Sequence, residues 1–308
     1  MSSCLLITYN RPEKTLATLA PLMGCERLYL FCDGHKRDPE KTDAVRKILR
    51  EAADERTRSG KKTTLLFSDV NLGPQKGPTV AMSEFFNEVE FGHIIEDDIV
   101  LHPLFFQVHG RALTEFRDKG FLWIGQGYPL PESPFTLIST QINGLVAWSS
   151  WREQIQQALA ATATKRPWEE RGFRLLEGLH LKTKIFLWKE FERLKRNPTL
   201  WWDYHWTQFQ LDVKMPGLTP TARLHKNIGV DGSGHNCQNV FGARESWDES
   251  ALKAFLMKQT FVGEDAVAEK KMELMRYGRI LQSLGRKGMR LTPQRWKHLW
   301  RPITSNDI

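Results

Sequence analysis

The chain contains no apolar run near the ~18 residues a membrane-spanning helix requires, which excludes a helical span. Its first strand-like run starts at Cys4, leaving no room for a secretion signal, so the expected address is the cytoplasm. Cysteine is scarce. Cys4, Cys25, Cys32 and Cys237 show no metal-ligand spacing, and Cys4 and Cys32 lie inside apolar runs where a thiol acts as a small hydrophobe. All four read as structural. No internal repeat and no low-complexity segment occurs. With 308 residues, 41% of them hydrophobic, the chain can bury one large core or one core with a small appendage.

Acid is nearly absent from one stretch. Residues 270–301 hold ten Lys or Arg (Lys270, Lys271, Arg276, Arg279, Arg286, Lys287, Arg290, Arg295, Lys297, Arg301) against the single acid Glu273, so the net charge of +8 is unevenly placed. Trp296 and Trp300 are interspersed there. A basic aromatic segment suits peripheral docking on the anionic inner face of a membrane, where lipid-linked molecules are presented. A solvated helical extension packing Leu281, Leu284 and Leu291 accounts for the same residues equally well.

What is present is alternation. Apolar runs at residues 4–8, 27–32, 63–67 and 93–95 read as strands. Helical spacing falls between them at 15–23, 41–58 and 79–87. This order argues an α/β fold with a parallel sheet and helices on both faces. Further strands are expected at 121–125 and 137–147, with helices at 150–160, 171–196 and from Glu249 onward. The expected boundary separates a catalytic domain, 1–245, from a basic helical C-terminal extension, 246–308.

Chemistry concentrates where the fourth strand ends. His93-Ile94-Ile95-Glu96-Asp97-Asp98 sets three acids at the C-terminal end of an apolar strand, the place where open α/β sheets bind ligands. Acids beside a core strand need compensation. Asp oxygens suit Mg²⁺ or Mn²⁺, which bridges phosphates and stabilises a leaving diphosphate. A solvated turn is the plainer account of a bare acidic pair; the position of the motif favours the first.

The stretches LLITYNRP, FCDG, NLGPQKGPTVAMSEFF and HIIEDDIVLHPLFF resemble the donor-binding half of GT-A glycosyltransferases. They are most similar to bacterial sugar transferases described as hemolytic-protein-like, and more distantly to the N-acetylglucosaminyltransferase that starts complex N-glycans. INGLVAWSSWREQI, WWDYHW and LHKNIGVDGSGHN extend the resemblance over residues 4–240. It implies that Thr8, Tyr9, Asn10 and Arg11 line the nucleotide pocket and that Asp33 contacts base or ribose. Gly73 and Lys76 would meet the donor, Lys76 offsetting phosphate charge unless it is simply a surface lysine. Asp98 becomes the direct metal ligand, Asp97 lies near ribose or metal, and Glu96 supports them. The implied reaction moves a sugar from a nucleotide-diphosphate sugar, preferably a UDP-sugar, to a glycan or lipid-linked acceptor hydroxyl, as in surface polysaccharide synthesis.

Inversion at the anomeric carbon needs a carboxylate to take the acceptor's proton. Asp203, in Trp201-Trp202-Asp203-Tyr204-His205-Trp206, resembles the family's base segment, although the family carries two consecutive acids where this chain has Asp203-Tyr204. Trp148 and Trp202 are the expected acceptor-side rings, since sugar C–H faces pack on flat aromatics; core packing accounts for any single one of them. His225, Asp231 and His235 lie in or beside a polar glycine loop, with His235 the candidate to complete a metal shell.

Three other functions compete. A sugar-1-phosphate nucleotidyltransferase would share the architecture but needs a glycine-rich loop where this chain has Asn10-Arg11-Pro12. A nucleic-acid binder would suit the basic tail, but no recognised binding motif occurs and the strand-end acids repel phosphate, so nucleic acid is not an expected partner. A degenerate transferase retained as a sugar-binding module is the third.

Overall fold

Strand β1 (Ser3–Thr8) sends Cys4 and Leu6 to one apolar cluster and Leu5 and Ile7 to another. A strand covered on both faces has no polar side, which is why it reads as a continuous apolar run. The structure, a computed structural model, describes residues 2–36, 38–229, 247 and 249–273. After β1 come α1 (Pro12–Leu19), β2 (Arg27–Cys32), α2 (Pro39–Arg58), β3 (Lys62–Phe67), α3 (Gly73–Glu88), β4 (Phe91–Glu96), β5 (Ile99–Leu101) and α4 (Leu104–Glu115). The chain continues through β6 (Trp123–Ile124), β7 (Phe135–Thr140), β8 (Ala147–Trp151), α5 (Arg152–Thr164), α6 (Pro167–Arg171), α7 (Leu181–Arg196) and α8 (Trp202–Val213). It closes with β9 (Gly217–Pro220), β10 (His225–Asn227), α9 (Glu249–Leu256) and β11 (Thr260–Gly263).

Nine strands form one sheet in the order β11-β7-β9-β6-β8-β4-β1-β2-β3; β10 and β5 make a separate antiparallel pair. Strands β3, β2, β1 and β4 are mutually parallel, and β8 runs antiparallel to β4. The protein is therefore α/β, with a mixed, largely parallel sheet flanked by helices. Helices α1, α2 and α4 cover one face through Leu19, Val45, Leu49, Phe105 and Val108. On the other lie α3, α5 and α8, through Met82, Phe85, Ile155, Trp202, Trp206 and Phe209. Each fully buried side chain of this size contributes ~1.5–3 kcal/mol by leaving water.

Several expected elements are redrawn. The run 137–147 is two strands, because Asn143 breaks it: its buried amide donates to Thr140 Oγ1, Leu218 O and Thr219 Oγ1 at 2.9, 3.0 and 2.9 Å and accepts from Gln210 Nε2 at 2.8 Å. The long helix at 171–196 is interrupted by Gly172 and Gly178, at φ +53 and +85, values that glycine alone holds cheaply. Helix α3 starts at Gly73 rather than 79, since Asp33 supplies its N-terminal acceptors. The aromatic cluster at 201–206 opens a helix, α8. Beyond Glu249 the chain is not purely helical: β-branched Thr260 and Val262 with Phe261 form β11, which pairs in parallel with β7. Most of the basic tail, including Trp296 and Trp300, and His235, Asp231 and Cys237 of the glycine loop, lie outside the described residues. Among the described residues no helix is long and apolar enough to cross a membrane.

Candidate active site

From β1 the chain runs outward to β2 and β3 and then returns past β1 to β4. The reversal makes the C-terminal ends of β1 and β4, at Thr8 and Glu96, the switch point at which open α/β sheets form their ligand crevice. Thr8 is buried, its hydroxyl donating to Phe31 O at 2.7 Å, so it serves the strand. Tyr9, Asn10 and Arg11 follow half-buried.

Two carboxylate groups occupy this end of the sheet. The first is Asp33, just past β2 and 6% exposed. Its Oδ1 accepts from the backbone N–H of Gly34 and Leu72, both at 2.8 Å. Its Oδ2 accepts from Gly73 N at 2.9 Å and Asn71 Nδ2 at 3.1 Å. Four bonds use the capacity of an ionised carboxylate, and they tie β2 to the start of α3. Gly34 permits the approach, because a Cβ there would collide with the Val70 backbone. Gly73, at φ +81, faces open space, and Lys76 is exposed.

The second group is Glu96, Asp97 and Asp98. Asp97 Oδ2 accepts from Tyr9 N at 3.3 Å, and its backbone carbonyl accepts from Thr18 Oγ1 at 3.0 Å. Arg11 Nη1 lies 2.6 Å from Asp98 Oδ2 and 3.3 Å from Asp97 Oδ1, so both acids converge on one cationic nitrogen whose side chain is 27% exposed. Burial raises the Asp97 carboxyl to about 6, against the pull of Arg11. Glu96 keeps some surface, yet burial first, and then repulsion from Asp98, Asp203 and Asp97, hold its carboxyl well above the ordinary range. Trp202 Nε1 donates to Glu96 Oε1 at 3.4 Å and partly offsets this.

Asp203 lies near enough for its charge to be one of the three that push the Glu96 carboxyl upward. It stands in the first turn of α8. The chain enters this helix through Trp201 at φ +25, a strained conformation costing roughly 1–3 kcal/mol for a non-glycine residue. Arg193 of α7 sits 4.4 Å over the Trp201 ring. Glu190 of the same helix is also pushed upward, by burial and then by Asp203, with Arg193 opposing.

The tryptophans lie beneath rather than in the crevice. Trp148 is 0% exposed and stacks on Trp202 with ring centroids 5.7 Å apart, while Trp206 stacks on Trp123 at 5.9 Å. What the structure shows of Trp148 and Trp202 is packing that seats α8 on the sheet. His225 is buried in β10, its imidazole lowered to about 4 by burial.

Sequence reasoning did not find Asn71 and Leu72 around Asp33, Glu190 and Arg193 beside α8, or the backbone beside Asp98. Ile228 N donates to Asp98 O at 2.8 Å, and a Cβ at Gly229 would collide with the Asp98 carboxylate. The glycine of the His225–Gly229 segment was the one available signal for that approach.

Among the described residues no three His, Cys, Asp or Glu side chains are grouped to hold a metal ion. The donor set of Asp98 and Asp97 fits the mode in which one or two carboxylates bind Mg²⁺ while phosphates and water complete the octahedron.

The chain matches no family model and no curated protein. Among solved structures it is similar to HddC from Yersinia pseudotuberculosis, at a TM-score of 0.32 and 10% identity over 51% of this chain and 80% of that one. A likeness at that score carries no argument about chemistry, and what the site can do rests on its own residues.

Proposed function

We propose that this protein is a nucleotide-sugar-dependent glycosyltransferase, with the donor in the crevice between β1 and β4. The supporting observation is that Asp97 and Asp98, at the end of β4 and next to Glu96, share one guanidinium, Arg11. That much negative charge on one side of a ligand crevice suits a cation and the phosphates it carries. Asp98, with Asp97, would hold Mn²⁺ or Mg²⁺, which when bound neutralises the diphosphate. Arg11 would exchange its carboxylate partners for phosphate oxygens, and Tyr9 and Asn10 would line the nucleoside. Asp203 would take the proton from the acceptor hydroxyl. As that oxygen bonds to the anomeric carbon, the bond to the diphosphate breaks and nucleoside diphosphate leaves with inversion. The acceptor is a glycan or lipid-linked hydroxyl, used on the cytoplasmic side.

The Arg11–Asp98 pair also favours a second reading, a sugar-nucleotide-binding protein without transfer, in which the guanidinium supplies the charge. Calorimetry with UDP, GDP and CDP, with and without Mn²⁺, separates the two. The transferase reading expects metal-dependent binding of one nucleotide, lost in Asp98→Ala. Metal-independent binding that needs Arg11 supports the second reading, and no binding of any nucleotide overturns both.

A further inference from the structure

At the end of β1 away from the crevice, two thiols meet. Cys4 Sγ lies 3.0 Å from Cys25 Sγ, both residues buried. The backbone beside them is held by Glu26 N and Arg27 N donating to Ser2 O at 3.0 and 3.3 Å, and by Cys25 N donating to Leu22 O at 3.0 Å. Since a disulfide spans ~2.05 Å, the sulfurs need to close by about 1 Å without remaking the sheet.

The surroundings are cationic. Buried Arg56 spends its guanidinium on neutral acceptors: Met23 O at 2.7 Å, Thr63 Oγ1 at 2.8 Å, Lys62 O at 3.0 Å and Glu26 O at 3.3 Å. Lys61 Nζ reaches Met23 O and Gly24 O at 3.3 and 3.4 Å. The Cys25 thiol is lowered, first by the hydrogen bond from Cys4 and further by Ser2, Arg56 and Lys61, while burial holds Cys4 up. Cys25, in the segment before β2, is 3% exposed against 0% for Cys4, so it is the sulfur nearer the surface and the first to meet an oxidant. Gly24 and Glu26, on either side of Cys25, line a cleft of about 1080 Å³ shared with Ser2, Arg27 and Lys61, and Cys25 lies between them behind its wall.

We propose that Cys4 and Cys25 are a site of reversible oxidation to a disulfide, with a hydroperoxide as oxidant. The Cys25 thiolate attacks the peroxide oxygen and breaks the O–O bond, giving a sulfenic acid and, after protonation, an alcohol or water. The Cys4 sulfur then attacks the Cys25 sulfur; its proton joins the departing hydroxide as water, and the S–S bond forms. Two thiols lose two electrons and the peroxide gains them. A dithiol reductant restores the pair by exchange. Among the described residues Cys32 has no second thiol beside it: its Sγ faces Tyr9 O and Asp33 O at 3.6 and 3.5 Å, and burial raises it. The proposal is independent of nucleotide binding and departs from the reading of these cysteines as inert.

The test treats the full chain with limiting hydrogen peroxide, blocks the remaining thiols and maps peptides by mass. The expected result is a linked Cys4–Cys25 peptide, two fewer titratable thiols and recovery with dithiothreitol, unchanged in Cys32→Ser and absent in Cys25→Ser. Oxidation of Cys32 or Cys237 in preference, over-oxidation of Cys25 without a link, or no thiol loss until urea unfolds the chain would each overturn it.

Discussion

Asp33 and Asp98 lie at the same end of one sheet, yet they are held in opposite ways. Asp33 spends its oxygens on three backbone N–H groups and the Asn71 amide, all within 3.1 Å. Asp98 leans on one partly exposed arginine that it shares with Asp97. Side chains cannot replace what Asp33 does for the start of α3, whereas an incoming ligand can take over the role of Arg11. A carboxylate saturated by the chain is a structural joint; one paired with an arginine is, under the proposed function, the one left to meet a cation.

The contrast breaks first at Asp33. Asp33→Ala strands the half-buried Leu72 and Gly73 N–H groups and should cost about 2–4 kcal/mol of unfolding free energy in urea titrations. Asp98→Ala should cost less than half of that. Equal losses would show that the two carboxylates do the same job.

Next in size is the acid limb of stability. His93, His109 and His225 are buried with their imidazoles lowered, to about 3, well below the ordinary value, and to about 4, burial leading in each case. Their folded values lie below the unfolded one, so the stability they lend is present above ~6.5 and is lost as pH falls. Asp97, raised in the fold to about 6, pulls the other way once pH drops below that value, and Glu96, raised too, acts in the same direction. The buried histidines and the raised carboxylates therefore act in opposite directions as pH falls through this range. Glu96→Gln removes one opposing contribution, so its acid limb should be steeper than that of the parent in urea melts.

The smallest effect carries the opposite sign. Relieving carboxylate repulsion with Glu96→Gln should raise stability at pH 7 by about 0.5–2 kcal/mol, seen as a higher Tm, while weakening metal-dependent nucleotide binding. A destabilised variant would mean that Glu96 belongs with Asp33 rather than with Asp98.

Much of the first half was legible because its cause is local. β2 matches the expected strand residue for residue, and β1, β3 and β4 differ by at most two residues at an end, since apolar runs bounded by Asn10-Arg11-Pro12, Asp33-Gly34 and charged helices leave few alternatives. The acids of residues 96–98 were legible for the same reason, as polar residues ending an apolar strand. Helix α8 was not, because its aromatic residues carry no clean helical period and its seat depends on Trp202 and Trp206 meeting Trp148 and Trp123. Nor was the saturation of Asp33, whose partners lie about forty residues later, at Asn71 to Gly73.

The sequence by itself determined the α/β class and the end of the sheet where acid gathers, since both follow from the period of apolar residues and from what interrupts it. Only the tertiary structure decided which acids the backbone saturates and which pair with Arg11, and that Cys4 faces Cys25. Those facts depend on distances between segments far apart in the chain, and strand pairing and helix packing set such distances where no local pattern records them.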